Sequence, residues 1–160
     1  MAEFDDLSFT DRGFMKLYRY RRSPWKEMAR LAKPLRETKG ALITTAALHL
    51  EDQEPFDEQK RGGDSSYREI PADVEVARLR ISHRSRSFDR SGIEKDPNLA
   101  FPIDRVRELA SAGRIGEVNR RHLSFMGSIT APGRLIRDFA PEAARLLRED
   151  GLDVALLVPV

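Results

Sequence analysis

Three histidines, His49, His83 and His122, are the side chains of this 160-residue chain whose ordinary pKa suits proton transfer near neutral pH. Each sits at or beside the end of an apolar stretch that reads as a β-strand, so a sheet would carry them toward one rim. None has a second ligand at the i, i+4 spacing of a helical metal site and no HExxH occurs, so no metal site is expected. Acid/base work or the orientation of a substrate is the chemistry these residues suit. Two further stretches have the composition of a ligand pocket. Thr44-Thr45-Ala46-Ala47 ends an apolar run with small residues that let a backbone approach a ligand closely, although small residues also permit tight packing. Gly62-Gly63-Asp64-Ser65-Ser66-Tyr67-Arg68 sets glycines before hydroxyl residues, a pattern able to hold an anion on backbone N–H groups. Neither GxGxxG nor GxxxxGK[ST] is present, and an ordinary turn is the simpler reading of that stretch.

The elements that would position these residues form an α/β alternation. Residues 41–48, ALITTAAL, read as a first parallel strand, and residues 74–82 as a second, ending in Ser82-His83. A helix is predicted from Phe101 through Val106, Leu109 and Ala110 to a stop at Gly113. HLSFMG (residues 122–127) is a short extended segment, and Leu135, Ile136 and Phe139 give a helical turn. The final stretch is the most legible. Pro141 opens a helix with Ala143, Leu146 and Leu147 on one face, and Gly151 ends it. Val154 to Val158 then reads as a central strand buried on both faces. Ligands of open parallel sheets gather beyond the carboxyl ends of such strands.

Composition narrows the function classes. There are 28 basic and 26 acidic residues, a formal charge of +2, and 40% hydrophobic residues, which suits a globular chain and argues weakly for nucleic acid. No apolar run reaches membrane-spanning length and the acidic N-terminus lacks a signal-peptide pattern, so a cytoplasmic location is expected. Cysteine is absent, which removes disulfides, thiolate nucleophiles and cysteine metal ligands from these residues. Residues 1–39 read as a lead-in and packing helix, residues 40–160 as the α/β domain. In the lead-in, Phe14, Lys16, Tyr18, Arg19, Tyr20, Arg21 and Arg22 interleave aromatics with bases, as single-stranded nucleic-acid binders do. The small net charge favours an amphipathic packing segment instead. Ser23-Pro24 starts a helix through Trp25, Met28 and Leu31, closed by Pro34, with the tryptophan as a core anchor.

The succession ITTAALHL (residues 43–50), EPFD (54–57), GDSSYREIP (63–71), LRISH (79–83), NLAFPIDRVREL (98–109), GRIG (113–116), HLSFMG (122–127) and DGLDVALLVPV (150–160) resembles the selenoprotein B family. That family supplies the selenocysteine subunit of glycine, sarcosine or betaine reductase and of D-proline reductase. The resemblance spans roughly residues 40–160. It implies the first half of a doubly wound α/β fold with a parallel or mixed sheet and flanking helices. It also implies a reductase subunit that cleaves a C–N bond of an amino-acid-type substrate, working with other reductase subunits and a thiol reductant in an oligomer.

In the family the closing strand is followed by selenocysteine or cysteine, two residues, then cysteine. No such motif occurs here, so selenium as selenocysteine is expected of a longer form, and a pyruvoyl group of a partner subunit. No cofactor is expected within these residues. A selenocysteine codon is also a stop codon, which would account for a sequence that ends at Val160. The implied site has His49, His83 and His122 as catalytic candidates, and Thr44, Thr45, Asp64, Ser65, Ser66, Tyr67 and Arg68 around the substrate. The loop RSRSFDRSGIEKDPN (residues 84–98) departs from the family's histidine- and tyrosine-rich segment, with Phe88-Asp89 in place of a Tyr-Asp pair. The alternative is a non-catalytic binding or assembly subunit that docks through its last strand.

Overall fold

The computed structural model describes residues 8–17, 27, 29–85 and 88–160, which divide into two units, Met1–Arg30 and Leu31–Val160. In the first, helix α1 (Phe9–Leu17) leaves Phe9 and Leu17 exposed. Residues Tyr18 to Arg22, Ser23, Pro24, Trp25, Met28 and the side chain of Phe14 lie outside the described residues, and with them the nucleic-acid and tryptophan-anchor readings. Residues 29–34, where the expected helix should finish, are not helical. They lead into a single 3₁₀ turn, Leu35–Glu37.

The second unit is built on strand β1 (Lys39–Thr44). Its alternate side chains enter two different cores, as the twofold period of a strand requires. Leu42 packs with Ile70, Phe101, Ile103 and Val106 on one face, while Ala41 packs with Leu123, Phe125, Ala143 and Leu147 on the other. Helix α2 (Ser91–Lys95) supplies Ile93 and helix α3 (Ile103–Ser111) supplies Ile103 and Val106 to the first core; helix α4 (Ala140–Glu149) supplies Ala143 and Leu147 to the second. Complete burial of Leu42, Ile70 and Leu123 contributes about 2 kcal/mol of transfer free energy each.

Along one side of β1 runs β7 (Val154–Val158), parallel and in register from Gly40↔Val154 to Thr44↔Val158. Along the other run β5 (Glu117–Val118) and β6 (Arg121–Phe125), both parallel to β1, and beyond β6 lies antiparallel β3 (Tyr67–Pro71). Asp153 fastens the start of β7: its carboxylate accepts the Lys39 N–H at 2.8 Å and pairs with Lys33 Nζ at 2.8 Å. Gly151, at φ 73°, ends α4 in the left-handed conformation that glycine adopts without strain, and the Leu152 N–H returns to the Leu147 carbonyl at 3.0 Å.

The α/β class with a mostly parallel sheet and flanking helices is as the sequence predicts, but four elements differ. The expected strand 41–48 breaks after Thr44. The Thr44 hydroxyl accepts the Ala46 N–H at 3.2 Å, Ala47 adopts φ 54°, and the chain re-enters as a two-residue strand, β2 (Leu48–His49). The expected strand 74–82 is instead a 3₁₀ turn, Val76–Arg78, and a short β4 (Arg80–Ile81) antiparallel to β2. The place beside β6 is held by β3, from the stretch whose simpler reading is a turn. Its Pro71 is tolerated there because an edge strand does not need every N–H. Finally, β7 is an edge strand among the described residues, with Leu156 and Leu157 exposed, and not a strand buried on both faces.

Candidate active site at the carboxyl ends of the strands

Three strands finish together. Past the end of β1, the Thr45 N–H donates to the Val158 carbonyl at 3.2 Å, and the Thr45 hydroxyl accepts the Val160 N–H at 2.9 Å. Past the end of β6, Met126 bridges to Ala46, and Gly127 lies against both neighbours. A Cβ on Gly127 would stand 3.0 Å from the Thr45 carbonyl oxygen and 3.1 Å from that of Val160, so any side chain here would push the three strand ends apart by a few tenths of an ångström. Over this junction a cavity of ≈ 340 Å³ is lined by His83, Ser85, Phe88, Gly127, Ser128 and Val160.

His83 comes from the loop after β4 and is 3% exposed. Its Nδ1 accepts the Ser85 N–H at 3.2 Å, the Phe88 ring lies 4.5 Å away centroid to centroid, and the Arg90 guanidinium donates to its backbone carbonyl. Burial lowers the imidazole pKa, the Arg90 charge lowers it further, and Glu58 acts in opposition. The ring is therefore neutral at pH 7. Its Nε2 is buried and has no hydrogen-bond partner among the described residues.

The other two histidines are committed elsewhere. His49 Nδ1 lies 2.8 Å from the Leu50 carbonyl and Nε2 2.9 Å from the Ser82 hydroxyl. Because a carbonyl only accepts, Nδ1 carries a proton. His122 lies within the sheet, completely buried, with Nδ1 accepting the Leu42 N–H at 2.8 Å and its ring edge-on to Phe101. Burial, helped by the Arg107 charge, lowers its pKa to about 4. The described residues contain no group of three His, Cys, Asp or Glu able to hold a metal ion.

The residues expected around a substrate divide in the same way. Thr45 stands at the strand-end junction, and Thr44 is buried beneath it. Asp64 organises its own loop, accepting from the Asp57 N–H, Lys60 Nζ and the Ser66 N–H and hydroxyl at 2.9–3.2 Å. Burial alone would raise its carboxyl; these bonds outweigh that and hold it at about 2. Ser65 is buried, and Ser66 is held between Asp64 and Arg68. The Tyr67 hydroxyl donates to Glu142 at 3.1 Å, and burial together with that carboxylate pushes the phenol up to about 12. Arg68 clamps the carbonyls of Glu54 and Pro55 and lies 4.3 Å above the Phe56 ring. Ser85, Arg90 and Ser128 carry no sequence signal of a site, and Gly127 shows only as the end of the HLSFMG motif. Arg90 acts on a backbone carbonyl seven residues away, which no residue pattern encodes.

Fold and cavity together define an α/β protein with a ligand-sized opening at the carboxyl edge of a mostly parallel sheet. The family described as glycine/sarcosine/betaine reductase selenoprotein B (GRDB) matches residues 65–159, and the chain belongs to that family. The D-proline reductase subunit gamma of Acetoanaerobium sticklandii is 35% identical over 127 residues, 79% of this chain and 50% of that protein. The sarcosine reductase complex component B subunit beta of Peptoclostridium acidaminophilum is 36% identical over 70 residues, 44% of this chain and 16% of that protein. The chain thus spans half or less of the length of these relatives. No solved structure matches it significantly. No helix among the described residues is long and apolar enough to cross a membrane.

Proposed function

We propose that the chain is a component of a reductase that cleaves the C–N bond of an amino-acid-type substrate, of the glycine, sarcosine, betaine or D-proline class. The observation that carries this reading is the cavity at the joined ends of β1, β6 and β7, with His83 in its wall, in a member of the selenoprotein B family. A selenolate or thiolate would supply the nucleophile that attacks the carbon bearing nitrogen, the bonding pair leaving with the amine. No cysteine occurs among the 160 residues, so that group must come from outside them.

The residues at the junction suit such a partner. Gly127 permits close approach, Thr45 fixes the backbone around Val160, and buried His83 offers a ring nitrogen without a partner among the described residues. This chain's part is to bind and orient the substrate and to keep water away from the reacting carbon. Other reductase subunits, a thiol reductant and a pyruvoyl group of a partner subunit complete the proposal. His49 and His122 support the site through Ser82 and through β1, not by touching substrate.

The test has two stages. The gene is read through the codon after Val160, and the protein it encodes is assayed with its co-purified subunits for dithiol-dependent reduction of D-proline, sarcosine, betaine and glycine. Reduction of at least one is expected; reduction of none by an intact complex would sink the reading. A second reading, an assembly subunit without catalytic duty, draws on the exposed Leu156 and Leu157 of β7. It predicts that an aspartate at Leu157 abolishes association while the separated chain has no effect on turnover.

A further inference from the structure

The unpaired nitrogen of His83 has a defined chemical character. Because Nδ1 accepts the Ser85 N–H at 3.2 Å, the single proton of the neutral ring sits on Nε2, which is therefore a donor. Buried donors are nearly always hydrogen-bonded, yet this one meets no acceptor among the described residues. It belongs to a side chain in the wall of the ≈ 340 Å³ cavity. The ring is held for a purpose that needs orientation: Phe88 packs on it, and Arg90 grips its backbone carbonyl.

The missing acceptor can be specified. No acidic side chain lines the cavity, and the nearby guanidinium of Arg90, 3.8 Å from Glu58, adds positive charge beside the ring. A negatively charged oxygen fits such surroundings better than an ammonium does. Glycine, sarcosine, betaine and D-proline, the compounds in the names of the family and of its relative, differ at nitrogen, which is primary, secondary or quaternary. All four carry a carboxylate one carbon away.

We propose that the Nε2–H of His83 is the hydrogen-bond donor to the substrate carboxylate, the feature these amino acids share. The inference rests on the functional reading above for the substrate class and adds the atom that reads it. His83 is on this view a binding residue that leaves the variable nitrogen to be recognised elsewhere. The buried Nε2 of His122 is the internal control: it too lacks a partner among the described residues, but it lies edge-on to Phe101 inside the sheet and outside this cavity.

Ring-nitrogen spectra of the ¹⁵N-histidine-labelled chain test this directly. The free protein should show His83 as the Nε2–H tautomer. Betaine and D-proline should each shift that Nε2–H, while trimethylamine and pyrrolidine, which lack the carboxylate, should not, and His122 should stay still. In the full reductase complex His83→Gln, which retains an N–H donor, should raise KM several-fold less than His83→Leu does. The proposal is overturned by an Nδ1–H tautomer, by amines shifting the ring as strongly as carboxylates, or by no response to any carboxylate. Carboxylate shifts in a complex that reduces none of the four compounds would overturn the reductase reading while leaving this subsite in place.

Discussion

His122 fills the gap that a strand bulge leaves opposite Leu42. Gly40 pairs with Val118 and Ile43 with Leu123, so two residues of β1 face four residues between β5 and β6. The mismatch leaves the Leu42 N–H without a carbonyl partner, and the imidazole Nδ1 accepts it at 2.8 Å. The Asn119 N–H donates to the Gly40 carbonyl at 2.8 Å and closes the rest of the bulge. A histidine that accepts through Nδ1 must remain unprotonated there.

That requirement ties stability to pH. The His122 pKa falls from 6.5 to about 4 on folding, so between those values the unfolded chain binds the proton and the folded chain does not. Stability therefore declines as pH falls through 6.5 and levels off below about 4, a total of about 3 kcal/mol for this group. Burial of His83 lowers its pKa as well and acts in the same direction. Urea midpoints measured from pH 7.5 to 4.5 should fall steadily in the native chain and more gently in His122→Asn. Equal slopes for the two would show that His122 is not the source.

Asp150 governs the opposite side of the same bulge. Its side chain is 1% exposed and pairs with Arg121 at 2.7 Å and Arg120 at 2.6 Å, and it accepts from Asn119 Nδ2 at 3.1 Å. Burial would raise its pKa, but these donors hold it at about 2. Asp150→Asn should cost about 3 kcal/mol, since it leaves arginines facing an uncharged group. Its pH signature lies in a different window, with stability lost as pH falls from about 4 to about 2. Thermal melts at pH 7 check the first effect and acid titration of the native chain the second.

Gly127→Ala places a methyl carbon 3.0 Å from the Thr45 carbonyl and 3.1 Å from that of Val160. Both neighbours are backbone and must shift. A loss of about 1–3 kcal/mol is expected, together with a larger loss of turnover than of stability, because the displaced segments line the cavity. Retained kcat in a measurably destabilised variant would separate the junction from the reaction.

Arg68 holds the loop of residues 54–57 by a geometry that lysine cannot reproduce. One guanidinium donates to the carbonyls of Glu54, Pro55 and Tyr67 and to the Ser66 hydroxyl while stacking on Phe56. Arg68→Lys should destabilise by about 1–2 kcal/mol. It should also speed proteolytic cleavage within residues 51–63, measured by timed digestion. Unchanged cleavage would mean that Phe56, 3% exposed, anchors the loop by itself.

Much of this was readable from the chain alone because it is written locally. Gly113 and Gly151 end α3 and α4, both at positive φ; the extended segment expected at 122–127 overlaps β6, and the apolar run 154–158 becomes β7. The ordered motifs from residue 43 to 160 carry the family resemblance, which the match over residues 65–159 bears out. Each of these signals needs only propensity and period within about ten residues. The rest depends on partners distant in sequence. Whether residues 67–71 or 74–82 take the place beside β6 is a competition for one sheet edge, and single-strand patterns do not decide it. The three histidines look alike in sequence, yet His122 is claimed by a backbone N–H 80 residues away and His49 by a hydroxyl 33 residues away. Only the fold leaves a nitrogen of His83 beside a cavity and unclaimed among the described residues, because a hydrogen bond is assigned by distance in space, and the chain does not carry that distance in its order.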